Sequence, residues 1–388
     1  MDILNGLNFV LSVAIGLFVL VILVVLHELG HAVAARRNGV VVEEFGIGFP
    51  PRAWAKKLKN GVLFSLNWLP LGGFVKLQGE NDSANKKGDY GAASMWAKTK
   101  ILLAGVLANW VTAVILFTGL ALTGLPKIIP DQFTVASDTT EVRQPVTISV
   151  VSKGSPADKA GLKAGDQIVR FAGRPLDEPK DLTAMAAQHK GDAVEIIYKR
   201  NNIEKNASLK LRSENADKKG YLGVGAQQQT TYRATWSAPI VGVVLTGQLT
   251  QVTFQSLGDM LAKLGTGIFQ KLSFDSASQK QGDEKLGEVG SGVAGPIAIL
   301  GILFPSARDA GLTSLVLITA VISLTLAVMN ILPIPALDGG RWFVTVLFRA
   351  LKKPLSKELE ERIHGTGFMV LMGLVILVTI ADVSKFGQ

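Results

Sequence analysis

The stretch VVLHELGHAVAARR, residues 24 to 37, sets His27, Glu28 and His31 at the end of a nearly unbroken apolar run that begins at Leu7. Two histidines four apart project from one face of a helix, at the spacing two ligands of a single metal ion need. A glutamate beside the first can reach a water held on that metal. On a soluble helix the same pattern is often only a solvated face. In hydrocarbon that reading loses its force. An ionised side chain at mid-membrane costs about 2.5–3.5 kcal/mol on insertion scales, so such groups tend to be paired and functional. The chemistry expected is hydrolysis by water activated on Zn²⁺, with Glu28 as general base.

Two histidines leave a catalytic zinc one protein ligand short. The other two histidines of the chain are His189, in a stretch of globular composition, and His364, in a charged stretch before the last apolar run. Asp338, in MNILPIPALDGG, is the better candidate. Pro333 and Pro335 cannot continue a helix, so the apolar run before them must break there. A broken span is tolerated where protein or a watery cavity covers the freed backbone. Depth is consistent with this. At 1.5 Å per residue His27 lies about 30 Å below Leu7, and Asn330 about 27 Å below Leu312. Asn109, counted from Ile101 at the other face, lies about 12 Å in.

These groups need helices to carry them, and the composition supplies such helices. Of 388 residues 48% are hydrophobic, with a mean hydropathy of +0.33. That is too apolar for an ordinary soluble protein and too polar for spans alone. Four spans are predicted, over 7–35, 101–122, 312–332 and 367–381. The net charge of +9 points to the membrane rather than to nucleic acid, because of where it sits. Residues 36–100 carry eleven Lys/Arg against five acids, and 341–364 carry six against three. Basic short loops stay cytoplasmic, so both termini and the long middle region are predicted to face outward. The start MDILNG has no basic residue, which argues against a cleaved signal peptide. With no cysteine, thiolate ligands and disulfides are excluded.

Residues 37–100 alternate in GVLFSLNW and GGFVKL with Gly and Pro between, which predicts short β-hairpins. They are unusually apolar for a cytoplasmic loop, and imply a cavity beside the first helix. Residues 145–226 predict one compact domain. VTISVV is a strand, DEPKDLTAMAAQH a helix with an acidic start, and Asn201–Asn202 the turn of a hairpin. SPADKAGLKAGD, at 155–166, resembles the PDZ domains attached to bacterial proteases. That likeness puts Tyr221, Leu222 and Gly223 in the ligand-binding loop. Residues 238–272 form a predicted amphipathic helix on the outer membrane surface or against the spans, and 276–292 a polar loop.

Taken with the PDZ segment, HELGH in the first span and NILPIPALDGG in the third resemble the site-2 proteases. The subgroup is that of the bacterial regulator of sigma-E protease. FGIGFPP is similar to that family's re-entrant β segment and GVAGPIAI to its motif before the third span. The best-known member has two tandem PDZ domains, and this chain has room for one.

The resemblance implies a polytopic α-helical membrane protein with four transmembrane helices, a membrane-associated β-hairpin region and one inserted α+β PDZ domain. The order is first helix with zinc motif (1–36), re-entrant β region (37–100), second helix (101–124), linker (125–144) and PDZ domain (145–226). An amphipathic helix and loop region (227–311) then precedes the last two helices with the LDG motif (312–388). Zinc would be held by His27, His31 and Asp338, with Glu28 as base and Asn330 on the substrate backbone or oxyanion. The implied substrates are single-pass membrane proteins of the bacterial inner membrane, such as anti-sigma factors after a first cut, or signal-peptide remnants. The rival reading is a non-catalytic PDZ receptor sensing exported proteins, which would have no use for Glu28. A transporter is disfavoured, because no inverted repeat is evident.

Overall fold

The computed structural model describes residues 3–215, 219–273, 275–292 and 294–386. Val293, the second residue of GVAGPIAI, lies outside them. The chain divides into two units, Met1–Leu120 with Ala238–Gln388, and Ala121–Ser237.

The first unit opens with α1, Ile3–Arg37, a helix of Leu, Val, Ile and Ala without proline. It stops where Asn38 N–H turns back to Ala34 and Ala35 and Gly39 takes a positive φ of 77°, a left-handed end that suits glycine. Strands β1, Val42–Lys57, and β2, Leu63–Leu77, follow and pair in an unusual way. The first part of β1, 42–47, lies between 73–77 of β2 on one side and 63–66 on the other. The second part, 52–57, pairs with 63–67, so two long strands make four short segments. Glu44 pins three of these segments. It is buried and accepts from Ser65 Oγ at 2.7 Å and from Arg52 Nε at 3.1 Å. Phe49, Trp54, Trp68 and Leu69 remain exposed on this hairpin region.

Helix α2, Met95–Thr123, packs closely on α1. A Cβ on Gly30 of α1 would run into the Ala104 carbonyl and come within 3.1 Å of Ala108 Cβ. Small residues that let backbones approach are the usual packing device between membrane helices. Among the described residues four helices are long and apolar enough to cross a membrane: Gly6–Arg37, Met95–Thr123, Leu312–Ile331 and Lys357–Ile380. These are the four expected from hydropathy, the last extended by its charged first turns.

Residues Ala238–Lys271 form a helix, α5, and the segment that follows it is not a loop. Residues Ser276–Gly292 form a second helix, α6, folded back on α5. Its polarity predicts a loop, and two features invisible in composition join it to α5. Gly282 meets Lys271 N and Gly267 O too closely for a side chain. Lys263 pairs with Glu288 at 2.8 Å and Lys271 with Asp283 at 2.7 Å. After α7, Pro296–Ala298, comes a π-helical turn, Ile299–Leu303, and then α8, Phe304–Asp309. Asp382 accepts from Gly295 N at 3.3 Å and Ala298 N at 3.0 Å, joining that entry to the end of the last helix. Helices α9, Leu312–Ile331, α10, Asp338–Ala350, and α11, Lys357–Phe386, complete the unit.

The second unit holds a sheet and two short helices with the order and pairing of a permuted PDZ domain. Strands β5 (Thr147–Val151), β6 (Gln167–Phe171), β8 (Ala193–Arg200), β9 (Ile203–Lys210) and β10 (Val224–Gln227) are ordered β10-β5-β6-β8-β9, with β7 (Arg174–Pro175) beside β6. Helix α3, Pro156–Lys159, is capped by Ser155, and α4, Pro179–Gln188, starts with a Glu178–Asp181 capping box. Asn201 and Asn202 both have positive φ, as a two-residue hairpin turn requires. A separate sheet of β3 (Leu125–Pro126), β11 (Thr230–Arg233) and β4 (Thr140–Arg143) flanks this domain in the chain.

Candidate active site

Helix α1 carries His27 and His31 on one face, and α10 begins with Asp338. The third span breaks as the prolines predict. Helix α9 ends at Ile331, and Asp338 opens the next helix after six intervening residues. Gly339 and Gly340 let this turn close, because a Cβ on either would collide with the carbonyl of Ile331 or Ile334. Ala336, at a positive φ of 83°, donates its N–H to His364 Nδ1 at 3.2 Å. His364 thus supports the loop rather than joining the histidine pair, and His189 caps the end of α4 in the other unit.

Asp338 Oδ2 lies 3.0 Å from His27 Nε2 and 3.2 Å from His31 Nε2, and the two nitrogens are 3.1 Å apart. Ligands of a tetrahedral zinc at about 2.0–2.1 Å would stand about 3.3 Å from one another. The triangle has the size of one face of that tetrahedron. Its chemistry agrees. His31 Nδ1 sits 2.8 Å from the Ile101 carbonyl, which can only accept, so a neutral His31 carries its proton on Nδ1. Its Nε2 lone pair then points at a carboxylate oxygen and a second imidazole nitrogen. Three electron-rich atoms converging in a buried site fit a cation. His27, His31 and Asp338 are also the group of His, Asp and Glu side chains among the described residues whose ligand atoms lie within 4.8 Å of one another.

Two further residues shape this point. Gly105, on α2, lies against both imidazoles: a Cβ there would come within 2.7 Å of His27 Nε2 and closer still to His31 Nε2. A glycine in an apolar helix reads as ordinary packing, so the sequence carries no signal for it. Asn109, one turn further along α2, is buried, and its amide stands 3.3 Å from His27 Nδ1. Its backbone carbonyl accepts from Ser323 Oγ at 2.8 Å, which ties α2 to α9.

Glu28 is half-buried on the next position of α1, with the backbone of Val75 on β2 close to its carboxylate. A Cβ on Gly73 would lie 3.3 Å from Glu28 Cγ and 3.0 Å from Val24 Cγ1, so the edge of the β region runs directly against the base. Asn330 stands in the last turn of α9, with its amide Nδ2 donating to the Leu326 carbonyl at 3.0 Å. One of its two N–H donors is used in this way, and the other is left for a partner.

In the other unit Tyr221, Leu222 and Gly223 line a cavity of about 240 Å³ between α4 and β10. Leu222 buries its side chain in the domain core, and Gly223, at a positive φ of 77°, sits where a Cβ would strike Ser155. The three carbonyls accept from Arg212, Ala157 and Ser152, so what the loop offers a ligand is its N–H groups.

The sequence profile of peptidase family M50 matches residues 15–374. A Clostridium perfringens protein whose name assigns it to the zinc metalloproteases is 31% identical over 362 residues, covering 93% of this chain and 95% of that one. A Clostridium acetobutylicum protein named in the same way is 30% identical over 372 residues, 96% of this chain and 97% of that one. Zinc metalloprotease RasP of Geobacillus kaustophilus is 25% identical over 446 residues, 94% of this chain and 96% of that one.

Proposed function

The chain belongs to peptidase family M50, and from that premise we propose that this zinc metalloendopeptidase cuts peptide bonds inside the transmembrane segments of single-pass membrane proteins. The observation that carries the proposal is where the donor set lies. His27, Glu28 and His31 stand on a helix of membrane-spanning length, and a strand edge runs against Glu28. A protease for soluble chains has no need of a water-splitting site at that depth, where every polar group is costly.

His27 and His31 would hold the metal through Nε2, and Asp338 through a carboxylate oxygen. When bound, zinc supplies the Lewis acid that polarises a carbonyl and makes water a nucleophile near neutral pH. Glu28 takes the proton of the attacking water and returns it to the leaving amine. Asn330 turns its second N–H to the substrate backbone or to the oxygen on which negative charge develops. Gly73 to Leu77 of β2 offers an edge to which an unwound substrate segment adds as a further strand.

The basic loops favour a bacterial inner-membrane protein with the PDZ domain and both termini outside. The substrates in this reading are anti-sigma factors already trimmed by a first protease, or signal-peptide remnants. The PDZ domain screens what reaches the membrane. Glu28→Gln is the direct test: the purified variant should keep one zinc per chain and lose cleavage of a transmembrane substrate. Normal cleavage by Glu28→Gln would remove Glu28 from the reaction.

A further inference from the structure

A charged cluster lies within the first unit, away from the triangle of zinc ligands but on the helix that carries one of them. Lys98, at the start of α2, is 0% exposed and pairs with Asp82. Asp82 also meets Arg349 Nη2 at 3.3 Å, and its N–H donates to Glu360 Oε2 at 2.8 Å. Arg341 donates to the Glu80 carbonyl, lies 3.7 Å from Glu360 and stacks 5.0 Å from the centre of the buried Tyr90 ring. Trp342 Nε1 donates to Thr99 Oγ1 at 2.9 Å. The cluster therefore joins the segment after β2, the first turns of α2 and α11, and α10.

We propose that this cluster positions the zinc ligand: Arg341 and Arg349 fix the rotation of α10 so that its first residue, Asp338, meets His27 and His31. Asp338, Arg341, Trp342, Thr345 and Arg349 stand at i, i+3, i+4, i+7 and i+11, on one face of α10. The face that aims Asp338 is the face the cluster grips. No side chain caps the N-terminus of α10, and the close turn at Gly339 and Gly340 sets where the helix starts rather than how it is rotated along its length. A helix is about 5–6 Å in radius with its side chains, so a 20° rotation moves a carboxylate by about 2 Å. Metal sites tolerate about 0.2 Å. Apolar packing alone fills space without choosing a rotation that finely. A buried ionic cluster adds little net stability but can specify one registry, because any other leaves a buried charge unpaired. Arg341 and Arg349 are positioning residues in this account and do not touch the substrate.

The inference rests on the reading of His27, His31 and Asp338 as ligands, so the experiment contains that reading as a control. The full chain and its variants are purified, loaded with zinc and titrated with a chelator, and helix content and thermal unfolding are followed in parallel. Asp338→Asn should lose zinc; if it does not, the ligand reading fails and the cluster is not in question. With that control in place, Arg341→Met should hold zinc about tenfold or more weakly, within the range of about 10–100-fold found for groups that orient metal ligands. Arg341→Lys, which keeps a cation over Tyr90, should recover part of the loss. Arg349→Met should show a smaller effect in the same direction. A folded Arg341→Met protein with parental zinc affinity overturns the proposal. If Arg341→Met does not fold, Arg349→Met decides: its contact is single and partly exposed, and parental affinity there overturns the proposal as well.

Discussion

The side-chain amide of Asn109 lies 3.3 Å from His27 Nδ1, across the ring from the nitrogen that meets Asp338 Oδ2 at 3.0 Å. A metal on Nε2 leaves the proton of a neutral imidazole on Nδ1, so the group facing Nδ1 must accept. Asn109 Oδ1 is buried without a partner, and a half-turn of the amide brings it onto that N–H. Partners of this kind set the tautomer and ring orientation of a metal-binding histidine. Asn109→Leu, of similar volume and without an acceptor, should weaken zinc binding about 10–100-fold. Asn109→Asp keeps an acceptor and should hold zinc near parental strength. Chelator competition measures both, and equal affinities would deny Asn109 this role.

Gly105 gives a steric test of the same site. A methyl group there intrudes on both Nε2 atoms, so Gly105→Ala should abolish zinc retention while the helices stay folded. Gly119 lies on the same helix with open space around its Cβ position. Gly119→Ala should leave zinc and cleavage unchanged and gain slightly from helix propensity, about 1 kcal/mol at most. Zinc content after gel filtration compares the two. A zinc-loaded Gly105→Ala protein would mean that the metal does not sit between these imidazoles.

What is legible in the sequence divides along physical lines. His27, Glu28 and His31 announce themselves because helical periodicity and a hydrocarbon setting are both local. Asp338 follows from two prolines that force a break. The spans and the PDZ elements are read from periodicity, caps and turns, all short-range signals. Helix α6 escapes such reading because its hold on α5 depends on Gly267, Gly282 and pairs such as Lys263–Glu288, which need the fold to bring them together. The double pairing of β1 is hidden for the same reason. Gly105 is silent because a residue defined by what it lacks gives no pattern. Lys98, Arg341 and Glu360 look like ordinary cytoplasmic charges until the chain folds them into one cluster.

The strand edge beside Glu28 leads to a prediction about presentation. A helix conceals its peptide bonds, so a transmembrane substrate must unwind before water can attack. Gly73 and Val75 of β2 lie close to Glu28, and the same edge can receive the unwound stretch. Val75→Pro removes a backbone donor from this edge strand and blocks pairing with a substrate strand, so cleavage should fall at least about tenfold with zinc retained. Lys59→Pro, in the turn between β1 and β2 where Gly61 N bonds to Leu58 O at 2.9 Å, should have no effect. Substrates with Gly or Pro near the cut should be preferred, since unwinding costs them less. Insensitivity to both the enzyme and the substrate changes would leave the edge without a function.

The PDZ domain is inserted so that it can be removed cleanly. Strands β4 and β11 pair from Thr140 with Arg233 to Arg143 with Thr230, and Gln144 N donates to Gln229 O at 2.8 Å. The domain therefore leaves and rejoins a hairpin stem at neighbouring points. Replacing 145–226 by a short Asn-Gly turn should preserve the stem, because such turns match the twist of paired strands. Two roles for the domain make opposite predictions. If its bulk excludes substrates with large outer domains, the excised enzyme should cleave an untrimmed substrate that the intact enzyme refuses, and should cleave the trimmed form as before. If the cavity at Tyr221–Gly223 must dock a newly exposed C-terminus, excision should abolish cleavage of the trimmed form while zinc content is unchanged. Exclusion is the outcome the proposed role after a first protease favours, since that role requires trimmed substrates to be told from untrimmed ones, and size does this without any sequence requirement. Point changes refine the result: Gly223→Val sets a side chain against Ser155 at a left-handed position and so distorts the cavity-lining loop without changing the domain's bulk. Under exclusion it should leave cleavage of trimmed substrate intact, and under docking it should reproduce the deletion.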